Sequence, residues 1–152
     1  MAVTTYVYTK AGLAAFRQQV TDLVDAGTSI KVALLDETYT FDQNNHDSWA
    51  DVSEHEIDPA TNSPYTAGGQ EIANHSFVVD GNLVVFDGDN VSWADASITA
   101  NFAVIYDDTP EADADKKLLC YIDFGGAKST SDGTFEMQWA ANGIFAIEAV
   151  AI

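Results

Sequence analysis

Apolar and polar residues alternate along much of the second half of the chain, as they do in strands that bury one face. The clearest alternating segment ends at Trp139, which shares a face with Phe135 and Met137. Turn residues separate such segments at intervals of about 8–12 residues, a spacing typical of β-sandwiches and barrels. The pattern predicts strands over residues 76–79, 83–86, 98–106, 118–124, 134–139 and 144–152.

Near the N-terminus, two strands flank a segment whose apolar residues recur at the spacing of a helix. Residues 2–8 and 29–36 predict the strands, because both are rich in residues that favour β-structure. The segment between them predicts one α-helix at about residues 10–26, with Thr9 as its N-cap and Gly27 after its last turn. Its apolar stripe, which we expect to face the core, comprises Leu13, Phe16, Val20, Leu23 and Val24.

These elements together predict a mainly β (α+β) protein. The strands are expected to form an antiparallel β-sandwich or a jelly-roll-like barrel, with one N-terminal α-helix at about residues 10–26. The 152 residues fit a single domain, 1–152, which is long enough to bury a core without disulfide bonds. Cys120 is the only cysteine, and its apolar neighbours predict a buried hydrophobic residue.

Two polar stretches interrupt the strand pattern. Residues 37–69 contain several turn residues and predict a short helix around Ser48–Val52, where Ser48 and Asp51 have the spacing of a capping box. Residues 107–115 are rich in acidic side chains and lie between two apolar segments, which predicts an exposed loop joining two strands. Asp80-Gly81-Asn82 predicts a hairpin turn.

Acidic side chains dominate the composition, because 24 Asp and Glu oppose 6 Lys and Arg and give a formal net charge of -18. This balance argues against binding to nucleic acid or to an anionic membrane, which both need clustered basic residues. Neither a signal peptide nor a membrane-spanning segment is expected. The acidity fits solubility or a salty habitat; alternatively, it fits a basic partner surface or cations held at acidic loops.

Two patterns around the histidines contain residue types of hydrolases or metal sites. His46 and His55 are nine residues apart, a spacing that fits neither one face of a helix nor a zinc motif. His46-Asp47-Ser48 has the composition of a catalytic triad, but adjacent residues in one loop do not normally reach its geometry. Neither pattern therefore supports a site by itself.

Residues 87–90 resemble the start of a calcium loop, since Asp87, Asp89 and Asn90 offer oxygen ligands. An EF-hand requires a Glu at the twelfth position, which is Ile98 here, so the EF-hand motif is excluded. The two interpretations that stay open are a plain turn and a calcium site of another kind. No catalytic, cofactor-binding or metal-binding residue is assigned, no cofactor is expected, and the protein is predicted not to be an enzyme.

Three tryptophans give the remaining candidates for recognition. Trp139 belongs to an alternating strand and is expected in the core, whereas Trp93 lies near turn residues and is expected to be half-exposed. Trp49 lies in the polar stretch, where it either packs over a sheet edge or anchors a partner.

Five segments from about residue 30 onward carry a further signal in their order and spacing. They are Val32-Ala33-Leu34-Leu35 followed by Tyr39; His46-Asp47-Ser48-Trp49-Ala50-Asp51-Val52-Ser53 with Glu56; Tyr65-Thr66-Ala67-Gly68-Gly69; Ala103-Val104-Ile105-Tyr106-Asp107-Asp108-Thr109; and Tyr121-Ile122-Asp123-Phe124-Gly125. This series resembles a group of small virion structural proteins from tailed double-stranded DNA bacteriophages. The resemblance covers most of the chain except the N-terminal strand and helix, and it transfers no catalytic residue.

The resemblance implies a non-enzymatic virion structural protein, above all a capsid decoration (cement) protein that binds and stabilises the outer surface of the head shell. The implied partner is the major capsid protein, and decoration proteins suggest by analogy a homo-oligomer, with a trimer favoured. The expected location is the outer surface of the capsid in the virion, after synthesis in the host cytoplasm.

Two other functions are weighed against a decoration protein. The first is a tail- or fibre-associated module, present in few copies per virion, that contacts the host surface and uses Trp49 or Trp93 if they are exposed. The second is a metal-dependent hydrolase built on His46 and His55.

Overall fold

The computed structural model of the chain describes residues 3–10 and 27–151. These residues form a mainly β structure in which every pairing between strands is antiparallel. The predicted fold class is therefore confirmed in its β content and strand direction. The predicted helix at residues 10–26 lies outside the described residues except for Lys10, so it stays a prediction.

Eight of the ten strands of the described residues overlap predicted segments, whereas β3 and β6 were not predicted. They are β1 (Thr4–Val7), β2 (Ile30–Leu35), β3 (Gln70–Glu71), β4 (Ser76–Asp80), β5 (Leu83–Asp87), β6 (Val91–Ala96), β7 (Thr99–Asp107), β8 (Leu118–Ser129), β9 (Gly133–Met137) and β10 (Phe145–Glu148). Two short 3-10 helices, Trp49–Asp51 and Ser53–His55, occupy the place of the predicted short helix.

A five-stranded sheet with the order β1-β8-β7-β2-β3 forms one layer of the fold. Consecutive residues are buried along β2 and along the first half of β8, so both faces of the sheet are covered there. The nearly continuous apolar sequences of these two segments are typical of strands covered on both sides. The simple alternation predicted for residues 98–106 is interrupted by two shifts of register between β7 and β8. At the larger shift, Gly125 and Gly126 have φ values of 71° and 129°, which glycine adopts without steric cost.

The second layer is built from a three-stranded sheet, β10-β5-β4, and a two-stranded sheet, β6-β9. The predicted hairpin turn is confirmed, since Asp80 pairs with Leu83 and Gly81 has a φ of 62°. In β9, Phe135 and Met137 are buried while their polar neighbours are exposed, as the alternation predicts. The buried side chains of both layers form one sandwich-like hydrophobic core.

Candidate interaction surface

Most of the large apolar side chains that are exposed among the described residues lie on or next to one sheet, β10-β5-β4. Their exposed fractions range from 37% to 74%, and Val79 is the most exposed. Three of them are neighbours on one face of this sheet, and we call these three the valine patch: Val79, Val84 and Ile147. A cluster of exposed apolar residues on one element is typical of a binding surface, whereas scattered ones are ordinary.

On one face of this sheet, side chains two residues apart along a strand differ sharply in exposure. Val79 pairs with Val84, which in turn pairs with Ile147, so the three side chains lie side by side. Two residues along each strand, a row of phenylalanines on the same face is anchored in the core: Phe77, Phe86 and Phe145.

The phenylalanine row fixes the valine patch to the body of the protein. Phe86 is fully buried, and its ring centroid lies 5.0 Å from that of Phe77 and 5.1 Å from that of Phe145. Aromatic pairs at such distances stabilise a structure beyond the burial of their surface. The sheet therefore presents the valine patch on an ordered support, which lowers the entropic cost of binding a partner.

The structure brings His46 and His55 to the same tyrosine ring, although they are distant from each other in sequence. The Nδ1 atom of His46 lies 2.9 Å from the Tyr39 hydroxyl, and the Nδ1 atom of His55 lies 2.8 Å from the Thr38 hydroxyl. Burial raises the pKa of Tyr39 to about 12, so its phenol is protonated at neutral pH. Both imidazoles thus use a nitrogen in hydrogen bonds to hydroxyl groups.

The residues with triad composition do not form a triad. The Ser48 hydroxyl donates to Oδ2 of Asp51 at 3.1 Å, and the backbone N–H groups of Asp47 and Ser48 donate to the same oxygen at 2.9 Å. Partial burial works to raise the pKa of Asp51, but these hydrogen bonds hold it below its ordinary value. The predicted spacing of Ser48 and Asp51 therefore marks the start of a 3-10 helix.

In the calcium-like turn, each of the three candidate side chains accepts a hydrogen bond from the protein at one of its oxygen atoms. Asp87 accepts from the N–H of Gly88 at 2.9 Å, and Asp89 accepts from the Asn74 amide at 2.7 Å. Asn90 accepts from the backbone N–H of Trp139 at 3.0 Å. Among residues 3–10 and 27–151, no group of three or more His, Cys, Asp or Glu side chains is placed to hold a metal ion.

The tryptophans are less exposed than a recognition role requires. Trp49 is 5% exposed and stacks on Tyr106 with ring centroids 4.5 Å apart. The prediction of a half-exposed Trp93 is wrong, because its side chain points inward from β6 and its ring lies 5.8 Å from that of Tyr65. Trp139 is only half-buried, and its indole N–H donates to the backbone oxygen of Asp89 at 2.8 Å.

Glu56 is a half-buried acid that the sequence analysis did not assign to a candidate site. Its Oε1 atom accepts hydrogen bonds from the Tyr65 hydroxyl and from the N–H of Gly68, both at 2.6 Å. Burial raises the pKa of Glu56 against these hydrogen bonds. The Tyr65 hydroxyl also accepts from the N–H of Leu34, so Glu56 fastens the loop before β3 to β2.

A groove of about 520 Å³ lies between β1, β8 and β9. Its apolar lining includes Ile122, Phe124 and Met137, and its charged lining residues are Lys128 and Glu136. Glu136 is the single carboxylate among the described lining residues, which include no histidine.

The acidic loop between β7 and β8 is tied down at its start, which corrects the predicted exposed segment 107–115. Asp107 is fully buried at the end of β7. Asp108 is half-buried and forms ion pairs with Lys31 at 2.6 Å and with Lys116 at 2.9 Å. The remainder of the predicted loop is exposed from Glu111 onward.

We expect Asp108→Asn to lower the free energy of unfolding by about 1–2 kcal/mol near neutral pH, through loss of charged hydrogen bonds. Partial burial works to raise the pKa of Asp108, but Lys31 and Lys116 hold it below its ordinary value of 3.8. The carboxylate therefore stabilises the fold fully above that value, and the benefit is lost as the pH falls through the lower, folded-state pKa. Urea unfolding at a series of pH values measures this.

The matched control for this prediction is Glu111→Gln, which removes one exposed acidic charge from the same loop. We expect it to leave the stability nearly unchanged at every pH. A difference between wild type and Asp108→Asn that stays constant down to about pH 2 would contradict the ion-pair explanation.

Searches against protein-family models, curated proteins and solved structures find no match to this chain. No helix within the described part of the chain has the length and apolar character needed to cross a membrane.

Proposed function

We propose that this protein is a non-enzymatic virion structural protein of a tailed bacteriophage, a capsid decoration protein that binds and stabilises the outer surface of the head shell. The major capsid protein is its proposed partner, with the virion surface as its location. The resemblance to small phage structural proteins supports this proposal, and the analogy with decoration proteins favours a trimer.

The observation that carries the proposal is the valine patch on an otherwise strongly acidic protein. Exposed apolar side chains on an ordered sheet are a favourable contact area for another protein, because binding removes them from water. The net charge of -18 keeps free copies apart in solution. A protein that must stay dispersed at high concentration and then attach to a large assembly needs both properties.

The fold offers less support to the alternative functions. A tail-associated module that contacts the host through Trp49 or Trp93 would have to expose side chains that are 5% exposed here. A hydrolase would need its histidines at a cleft with a nucleophile or a metal ion, but the imidazoles of His46 and His55 face Tyr39 and Thr38.

The test is the number of copies of this chain in purified virions, measured by quantitative mass spectrometry against the major shell protein. A decoration protein gives a ratio near one or near one-third. Val79→Asp places a charge within the valine patch, and we expect the occupancy of this variant on the heads to fall by about tenfold or more, because a buried charge without a partner is costly. Since Val79 is 74% exposed, the fold should be unaffected.

Val3→Asp is the matched control, because Val3 is 57% exposed and lies outside the valine patch. We expect its occupancy to equal that of the wild type. For the wild-type protein, a ratio of a few copies per hundred shell proteins would contradict the decoration role and favour a tail, neck or vertex location. Equal loss of occupancy in both variants would show that the valine patch is not the contact.

A further inference from the structure

The outer edge of β4 forms no hydrogen bond within the described part of the chain. β4 lies at the end of the sheet β10-β5-β4 and pairs only with β5. No turn or loop of residues 3–10 and 27–151 donates to the backbone of β4 or accepts from it. An edge strand with unpaired N–H and C=O groups is a template to which another strand can be added.

Two residues of β4 direct their backbone groups towards this outer edge. The carbonyl oxygen of Phe86 accepts from the N–H of Ile144 at 2.8 Å, so Phe86 turns its backbone groups towards β10. Phe77 is the partner of Phe86 in β4, and it therefore turns its own N–H and C=O away from β5. Val79 does the same, because outward and inward residues alternate along an antiparallel ladder.

The side chains of β4 are apolar at the positions where a further strand would pair. Val78 is 56% exposed and Val79 is 74% exposed, and the two lie on opposite faces of the sheet. β4 pairs with β5 without a shift of register, and Asp80, its last residue, is its only charged residue. Bulges, prolines and charged side chains usually prevent edge strands from pairing, and β4 has none of these before Asp80.

The other edge strands of the described residues carry such protection. β3 is only two residues long and ends with Glu71, while β10 ends with Glu148. β6 and β9 pair irregularly, and β9 contains Glu136. At the end of β1, the carbonyl oxygen of Val7 accepts from the Gln43 side chain at 2.9 Å. Among the edges that the structure describes, β4 is therefore the one best suited to pairing.

We propose that β4 pairs with β4 of a second copy of this chain, in antiparallel orientation about a twofold axis at Val78. In this register Phe77 of each copy lies opposite Val79 of the other. The outward N–H and C=O groups of both strands then form hydrogen bonds with each other. An interface of this kind uses the same edge of both copies, so the assembly closes as a dimer.

The sequence of β4 fits a second copy because it is complementary to itself. The proposed register pairs all five residues of Ser76–Asp80, whereas any other antiparallel register leaves some of them unpaired. Val78 lies opposite Val78 of the second copy, where two apolar side chains cover each other. Ser76 lies opposite Asp80, so the hydroxyl can donate to the carboxylate, and no two carboxylates face each other along the paired strands.

Pairing at this edge joins the two sheets into one continuous sheet. The side chains of Val79 in both copies lie on the same face of that sheet, since residues opposite each other in an antiparallel pair point to the same side. The two valine patches thus become parts of one surface. The inference goes beyond the proposed function and does not depend on it, and a trimer would need a separate threefold contact.

Sedimentation velocity of the purified protein over a series of concentrations tests the dimer. Each copy carries a formal charge of -18, so the copies repel each other at low salt. Raising NaCl from about 50 to 500 mM should therefore tighten the dimer several-fold, because salt screens this repulsion. Association through oppositely charged surfaces would respond to salt in the opposite direction.

Val78→Lys tests the position of the twofold axis. It places two ammonium groups directly opposite each other, and we expect the dimer to weaken by about tenfold or more. Val3→Lys is the matched control, because Val3 is 57% exposed and lies outside β4. Both variants lower the negative net charge equally, so only contact at β4 explains a loss that is confined to Val78→Lys.

Val78→Cys tests the same contact by cross-linking. The Cα atoms of a non-hydrogen-bonded antiparallel pair are about 4.5 Å apart, a distance that a disulfide bond spans. Oxidised glutathione should therefore convert most of Val78→Cys into a disulfide-linked dimer on a non-reducing gel, while Val3→Cys stays monomeric. Cys120 does not interfere, because it is fully buried.

Three results would overturn the inference. They are a wild type that is monomeric at every concentration and salt level, equal effects of Val78→Lys and Val3→Lys on the dimer, and equal cross-linking of the two cysteine variants. None of these results contradicts the decoration role, which is tested by the number of copies in the virion.

Discussion

Gly69→Ala is expected to prevent stable folding, with a loss of at least about 4 kcal/mol in the free energy of unfolding. A Cβ atom at this position would lie 2.0 Å from the backbone oxygen of Val32 and 2.8 Å from the Cα atom of Ala33. Both belong to β2, which is buried and paired with β7 over its whole length. This inner strand has no free direction in which to move away from the added atom.

Gly81→Ala separates this steric clash from the cost of an unusual backbone conformation. Gly81 has a φ of 62° and Gly69 a φ of 79°, so alanine is strained at both positions by about 1–2 kcal/mol. A Cβ atom on Gly81 would meet nothing within 4 Å. Thermal and urea unfolding should thus show a mild loss for Gly81→Ala; similar losses for both variants would argue against the close approach of Gly69 to β2.

Trp49→Ala is expected to cost about 3–5 kcal/mol of stability, as truncation of a large buried aromatic residue does. The Trp49 ring is nearly parallel to that of Tyr106, with an interplanar angle of 11°, and its backbone N–H donates to the oxygen of Lys116 at 2.8 Å. The residue thus holds the loop around it against both β7 and the start of β8. Urea unfolding followed by circular dichroism measures the loss.

Val79→Ala is the comparison for Trp49→Ala, because Val79 is an apolar residue that is largely exposed. Its truncation should change the free energy of unfolding by no more than about 0.5 kcal/mol. If Trp49→Ala unfolded like the wild type but no longer bound phage heads, Trp49 would be a contact residue and its buried position would be wrong.

The elements that the sequence predicted well are those whose pattern is local. In β9, alternation alone identified Phe135 and Met137 as buried, because the period of a strand determines which side chains share a face. The turn at Gly81 was equally accessible, since the residues that favour a two-residue hairpin are adjacent in sequence.

The features that escaped prediction depend on contacts between distant segments. Trp93 follows turn residues, yet it is buried because Tyr65 and Phe135 pack against it from elsewhere in the chain. The burial of Asp107 likewise depends on strand pairing rather than on its acidic neighbours. Local composition cannot reveal which segments will meet.

The strands that carry the valine patch contain consecutive valines, which do not fit the alternating pattern of a strand with one buried face. Val78-Val79 in β4 and Val84-Val85 in β5 place apolar side chains on both faces of the hairpin. Such runs are typical of strands that are covered on both sides. Only the structure shows that Val78 and Val79, on opposite faces of this end of the hairpin, are both exposed.

Because Cys120 is completely buried, its reaction with a thiol reagent can be used to measure how often the folded chain opens. Its side chain is 0% exposed and burial raises the pKa of its thiol, so the folded chain protects the group from thiol-reactive reagents. Because Cys120 lies in an inner strand of the five-stranded sheet and its side chain belongs to the core, alkylation requires local or global opening of the fold. The labelling rate of this single cysteine therefore measures how often the fold opens, and binding of any partner that stabilises the closed fold would slow it.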